Sequence, residues 1–140
     1  MFFWTMPTLK INTGKKSEMI DITDDVAKLV PHDLTCGVCH IFSTHTTAGL
    51  TVNENADPDV RKDMLSFLET SVPWCNSNYR HGEGNSAAHI KASLMGLFQT
   101  LPVKDGKLVL GTWQGLYFCE FDGPRNRTLV VQFVKGMEPV

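Results

Sequence analysis

Apolar and polar side chains alternate over Thr8 to Asn12 and again over Glu18 to Ile22, with Thr13-Gly14-Lys15-Lys16 between them. That pattern predicts a β-hairpin. Thr23 is placed as an N-cap, Asp24 and Asp25 favour a first helical turn, and Val26, Leu29 and Val30 share one face. Pro31 stops this short helix, and Gly37 to Thr44 reads as a strand. Asp57-Pro58 is a helix start with Asp as cap and Pro at the first helical position. Val60, Met64, Phe67 and Leu68 follow at helical spacing as far as Pro73. Ser86 to Phe98 predicts another helix, with Ile90, Leu94 and Leu97 as its apolar stripe. Leu101 to Val103, the turn Asp105-Gly106 and Lys107 to Leu110 make a second hairpin. Leu116 to Phe121 is apolar enough for a strand covered on both faces, and Thr128 to Val134 is the last strand. Short connections between strands predict an α+β class: mostly antiparallel, layered sheets with a few packed helices, in one domain over residues 1–140.

Composition narrows the function. At 140 residues the chain can bury roughly two-thirds of its unfolded surface and needs neither disulfide nor metal to fold. A net charge of −2, with 13 scattered basic residues, gives no drive toward nucleic acid or an anionic membrane. No apolar run is long enough to span a bilayer. MFFWTMP at the start is too short for a signal peptide and reads as a strand or packing arm. Cys36 and Cys39 have C-x-x-C spacing, but no second pair accompanies them. The pair is therefore taken as plain buried thiols, and with no secretory signal a reducing, cytoplasmic location is expected.

Three segments carry chemistry. Residues 45–60, HTTAGLTVNENADPDV, crowd short hydrogen-bonding side chains together and read as either a long turn or a pocket. Residues 79–91 add His81 and His89, and the third group is Thr112-Trp113-Gln114 with Arg125 and Arg127. His45, His81 and His89 would suit a catalytic metal site with an open position, although loop histidines also cap backbone groups. Asn85-Ser86 opens a helix whose N–H groups, with Lys91, Arg125 and Arg127, would hold an anion. The alternative for these charges is a solvated edge. Glu54 or Asp57 is the candidate general base, and Asn53-Glu54-Asn55 also fits turn chemistry.

Together the motifs H-T-T-A-G-L-x-x-N-E-x-x-D-P, Y-x-H-x-x-x-N-x-x-A-H-I-K, G-x-L-x-L-G-T-W-Q and D-G-P-R-x-R, at His45 to Pro58, Tyr79 to Lys91, Gly106 to Gln114 and Asp122 to Arg127, resemble the YjbQ-like family. The resemblance implies a layered α+β fold, usually a homotrimer. It also implies a secondary thiamine-phosphate synthase activity that joins a hydroxymethylpyrimidine diphosphate to a thiazole phosphate. His45, His81 and His89 become the expected ligands of a divalent metal ion, zinc or magnesium. Glu54, Asp57 and His81 become catalytic residues. Thr46, Asn53, Asn85, Lys91, Gln114, Arg125 and Arg127 are expected to bind substrate in the same pocket. Beside this metal-dependent enzyme for a small phosphorylated or heterocyclic substrate stand two other readings: a non-catalytic metabolite- or metal-binding trimer, and a structural oligomer with a polar seam between subunits.

Overall fold

A computed structural model describes residues 6–137. Its elements are β1 (Thr8–Asn12), β2 (Glu18–Asp21), α1 (Thr23–Ala27), β3 (Cys36–Ser43), β4 (Ala48–Glu54), α2 (Pro58–Ser71), α3 (Ser86–Met95), β5 (Phe98–Lys104), β6 (Lys107–Leu108), β7 (Gln114–Glu120) and β8 (Asn126–Lys135). They form two antiparallel sheets, ordered β1-β8-β3-β5-β6 and β2-β7-β4. The α+β class with layered antiparallel sheets is as expected. The predicted arm at the very start lies outside the described residues, apart from Met6 and Pro7, both exposed, with the Pro7 carbonyl accepting the Val131 N–H.

The sheets pack face to face over Ile41, Leu50, Leu116, Phe118, Leu129 and Val131. α2 and α3 cover the other face of the smaller sheet, where Met19, Leu68, Ala88, Ala92, Tyr117, Cys119 and Phe121 meet. β7 therefore has a core on each side: Leu116 and Phe118 point one way, Tyr117 and Cys119 the other. An unbroken apolar run is what a strand covered on both faces requires.

The first predicted hairpin does not form. β1 pairs with β8, with Ile11 opposite Arg127, while β2 pairs with β7, with Met19 opposite Cys119. The segment between them carries the chain from one sheet to the other. Thr13 anchors that crossing, its buried hydroxyl donating to Glu120. Alternation specifies a strand but not its partner. Residues 48–54, read above as turn or pocket, are strand β4, with Ala48, Gly49 and Leu50 buried. Thr23 is the first helical residue rather than the cap: Asp21 accepts its N–H, and its hydroxyl accepts the Leu116 N–H.

The stripe predicted on α3 is reversed. Ala87, Ala88, Lys91 and Ala92 face inward, while Ile90 and Leu94 are exposed. The reason lies on β4. A Cβ at Gly49 would stand 2.8 Å from the Gly96 carbonyl oxygen and 3.2 Å from that of Ala92. Helix and strand touch backbone to backbone, and only alanine fits between them. Gly96, at φ 90, ends the helix before Phe98, which instead opens β5. On α2, Asp57 caps as expected by accepting the Asp59 N–H, and Leu68 is buried, but Phe67 faces out. Cys39 and Cys119 are buried, and burial pushes each thiol up to about 12. Cys36 is half-buried, so the expectation of a buried pair holds for Cys39 alone, and Cys75 is exposed.

Candidate functional site

Glu120 ends β7 within the apolar run and is fully buried. An isolated carboxylate there would be costly. It accepts five hydrogen bonds: two from the Arg127 guanidinium, one from the Thr13 hydroxyl, and one each from the Phe121 and Asp122 N–H groups. Burial alone would raise its pKa, but the bonds from Arg127, Asp122 and Thr13 hold the carboxyl below the ordinary range. Arg127 also donates to the Thr47 hydroxyl at 2.8 Å. A buried charge of each sign is thus matched and its hydrogen-bonding groups are engaged.

The network extends both ways. Toward the β8 ladder, His45 Nε2 accepts the Thr128 N–H at 2.9 Å. β3 has already ended at Ser43, opposite Leu129, so the imidazole takes the place of a ladder carbonyl. Toward α3, Asp122 accepts from Asn85 Nδ2 at 3.0 Å and from Arg125 at 2.8 Å. Burial opposes ionisation of Asp122, yet these two partners hold its carboxyl low. Thr47, Asn85 and residues 120–127, far apart in sequence, are thus joined by hydrogen bonds.

Beside this network lies a cleft of about 410 Å³ lined by Asn78, Tyr79, Arg80, His81, Ser86, His89 and Ile90. The His81 and His89 rings meet edge to face with centres 5.2 Å apart. Glu83 Oε2 is 3.9 Å from His81 Nε2. Asn85 stands at the N-cap of α3, but its side chain makes no capping bond, because its amide is turned to Asp122. The Ala88 N–H turns back to the Asn85 carbonyl at 3.0 Å, which leaves the Ser86 and Ala87 N–H groups of the first turn for something else.

The single pocket expected from the motifs is divided within one chain. Glu54 pairs with Gln114 at one end of β4, while Ala48 pairs with Glu120 at the other. Six strand steps separate those ends by roughly 20 Å. At the far end, Asp57 caps α2, Asn53 Nδ2 contacts Met64 Sδ, and Gln114 accepts the Gly111 N–H. The Glu54 carbonyl accepts the Tyr117 hydroxyl. These groups serve local structure in the chain and do not face the histidine cleft. Thr46 is exposed, and it is the neighbouring Thr47 that joins the network. Lys91 is 1% exposed and pairs with Glu69 at 2.7 Å, tying α3 to α2. Arg127 is internal, whereas Arg125 lies on the surface.

The three histidines divide as well. Two imidazoles on one tetrahedral ion, at metal–nitrogen distances of about 2.0–2.1 Å, hold their ring centres roughly 5 Å apart. His81 and His89 meet that spacing. His45 does not join them through Nε2, which the Thr128 N–H occupies. Among the described residues no group of three His, Cys, Asp or Glu is arranged to hold an ion. The chain by itself provides a two-histidine fragment, not the expected three-histidine centre.

Burial, then the nearby Arg127 charge, lower the His45 pKa from its ordinary value. The unfolded chain therefore binds the proton more readily than the folded one, and stability rises with pH across that window. Urea unfolding should show wild-type stability falling as pH drops from neutral through the ordinary histidine range. His45→Gln should flatten that part of the profile. An unchanged slope in the variant would remove His45 as its source.

The sequence reading missed Glu120, and it gave Tyr79, Arg80 and Glu83, inside its second segment, no role of their own. Glu120 had a legible signal, since a glutamate inside LYFCEF must find a buried cation. Arg127 was seen, but as a substrate ligand.

The fold and site define a class: an α+β protein of two packed antiparallel sheets, with a charged internal network supporting a histidine-lined cleft at a helix N-terminus. The chain belongs to the family described as UPF0047 protein YjbQ-like, whose model it matches over residues 7–136. It is 53% identical to the UPF0047 protein YugU of Bacillus subtilis, over 92% of this chain and 98% of that protein. It is 41% identical to the UPF0047 protein YjbQ of Salmonella typhimurium, over 80% and 83%. The crystal structure of an uncharacterized conserved protein of the yjbq/upf0047 family from Clostridium acetobutylicum superimposes with a TM-score of 0.88 at 49% identity, covering 91% of this chain and 99% of the other. A YbjQ-like protein of unknown function from Sulfolobus solfataricus gives 0.86 at 32%, over 92% and 95%. No helix among the described residues is long and apolar enough to cross a membrane.

Proposed function

We propose that the chain is an enzyme acting on a small phosphorylated substrate bound in the His81–His89 cleft. The observation that carries this reading is the uncapped N-terminus of α3 beside two imidazoles and Arg80. Backbone N–H groups, a helix dipole and a guanidinium suit a phosphate or diphosphate. Departure of such a group needs charge stabilisation more than a strong base. His81, with Glu83 near it, is the group placed to hold a proton. Joining of a hydroxymethylpyrimidine diphosphate to a thiazole phosphate, which the family resemblance implies, is the first reaction to assay. Calorimetric titration with inorganic diphosphate tests the site itself. His81→Ala and His89→Ala should each weaken binding by about tenfold or more, while Gln114→Ala at the far end should leave it unchanged. Equal affinity in all four proteins would defeat the assignment.

The ring spacing favours a second element, a divalent ion shared by His81 and His89. Such an ion would supply charge neutralisation to a bound phosphate and would need further ligands from outside the described residues. Elemental analysis and zinc titration test it: both cleft variants should lose the ion, while His45→Ala should retain it. Assembly as a homotrimer would expose each cleft to groups from a neighbouring copy. The apolar side chains of Phe42, Phe98 and Val134, exposed on the outer face of the larger sheet, support such association. Four free thiols suit a reducing cytoplasm. A binding protein without turnover would use the same cleft, and assay of the joining reaction separates the two.

A further inference from the structure

A second concavity, of about 490 Å³, adjoins the first. Trp74, Cys75, Asn76, Ser77 and Gly84 line it, and it shares Tyr79 and His81 with the histidine cleft. Those two side chains are the wall between them. The two sides differ in charge. The first has Arg80 and the α3 N-terminus; the lining of the second contains no Lys, Arg, Asp or Glu. Apart from the shared His81 and Tyr79, its polar side chains are uncharged, Asn76 and Ser77. Asn76 uses its side-chain carbonyl to accept the Asn78 N–H, which directs its amide NH2 elsewhere, and Ser77 adds a hydroxyl. Trp74 already carries the Lys16 ammonium 3.3 Å from its ring centre. The space is also large for its simplest occupant. A hydrolytic water takes about 30 Å³, whereas small-molecule pockets run from about 300 Å³ upward.

We propose that Tyr79 and His81 divide two ligand subsites, and that the second takes a neutral, hydroxyl- or amide-bearing ring while the first takes the phosphorylated partner. This rests on the proposed function and deepens it: the site holds two small molecules that meet at His81, rather than one molecule and water. The ring lies along Tyr79 and Trp74, and its polar substituent meets Ser77 and Asn76.

The test uses the full chain carrying Cys36→Ser, so that Cys75 is the exposed thiol and the remaining two are buried. Iodoacetamide at Cys75 fills the second subsite and leaves the first. Imidazole C–H resonances of His81 and His89 are followed during titration with inorganic diphosphate and, separately, with 3-hydroxymethylpyridine near neutral pH. The neutral ring should shift His81 but not His89, and alkylation should weaken its binding by about tenfold or more. Diphosphate should shift both imidazoles, with an affinity changed less than about threefold by alkylation, and the two probes should bind together. Competition between the probes, loss of diphosphate binding on alkylation, or a ring probe that leaves His81 unmoved would overturn the two-subsite arrangement. Failure of diphosphate to move either imidazole would instead overturn the anion assignment in the first cleft, and the ring arm would still decide the second.

Discussion

Glu120→Ala is expected to lose about 3–5 kcal/mol of folding stability, because it leaves the Arg127 guanidinium buried without its counter-charge. Arg127 is 6% exposed and Glu120 0%, so water cannot replace the missing partner without opening the sheet edge. The loss is not confined to one ion pair. Thr13, which anchors the crossing from β1 to β2, and the N–H groups of Phe121 and Asp122 each lose a bond to the carboxylate. Urea unfolding at neutral pH measures the effect as a lower midpoint at unchanged slope. The paired variant Glu120→Leu with Arg127→Met separates charge from hydrogen bonding. Removing both charges should restore part of the loss, since an apolar pair avoids an uncompensated ion. It should not restore all of it, because the Asp122 N–H loses its acceptor and Thr13 and Phe121 keep only their longer bonds to the Arg125 and Thr47 carbonyls. Full recovery would mean that those bonds contribute nothing. Acid should act in the same direction as Glu120→Ala. The native carboxyl is held below its ordinary value, so its stabilisation is present above the ordinary carboxylate range and is lost as pH falls through the native value.

The same network explains what the amino-acid pattern disclosed and what it hid. β7 was legible because both its faces are covered, and α2 because Asp57-Pro58 marks its start. The partner of β1 was not legible. Thr8 to Asn12 alternates equally well beside β2 or β8, and the choice is made by Thr13 and Glu120, which are 107 positions apart. Within the site, the motif residues divide by a length that a linear pattern does not contain. His45 to Asp57 looks like one pocket in sequence, but β4 runs through it and carries Glu54 roughly 20 Å from Ala48. The charged residues were noticed for their chemistry, and their internal partners decide their use. Lys91 belongs to Glu69, Arg127 to Glu120 and Arg125 to Asp122, which leaves Arg80 as the cation that lines the cleft.

Gly49→Ala should destabilise the fold by about 1–3 kcal/mol, the usual range for an added methyl in a filled contact. Gly49 is the glycine of the H-T-T-A-G-L motif, and its backbone does not need a positive φ, so the effect is steric. The new methyl would meet the Gly96 carbonyl oxygen at 2.8 Å, Met95 Cβ at 2.9 Å and the Ala92 carbonyl oxygen at 3.2 Å. Two of those atoms are backbone, so no side-chain rotation relieves them, and α3 must lift from β4. Lifting also strains the bond from the Leu50 N–H to the Gly96 carbonyl, now 2.9 Å. For a chain of this length 1 kcal/mol corresponds to roughly 3–6 °C in Tm, so calorimetry resolves the change. Gly14→Ala is the control, since nothing lies within 4 Å of a Cβ there, and its Tm should stay near wild type. Function should follow the helix. His89 rides on α3 while His81 sits on the preceding loop, so a lifted helix changes the spacing of the pair, and diphosphate affinity should fall in Gly49→Ala but not in Gly14→Ala. A variant that loses stability yet binds diphosphate as the wild type does would show that the cleft does not depend on how α3 is seated.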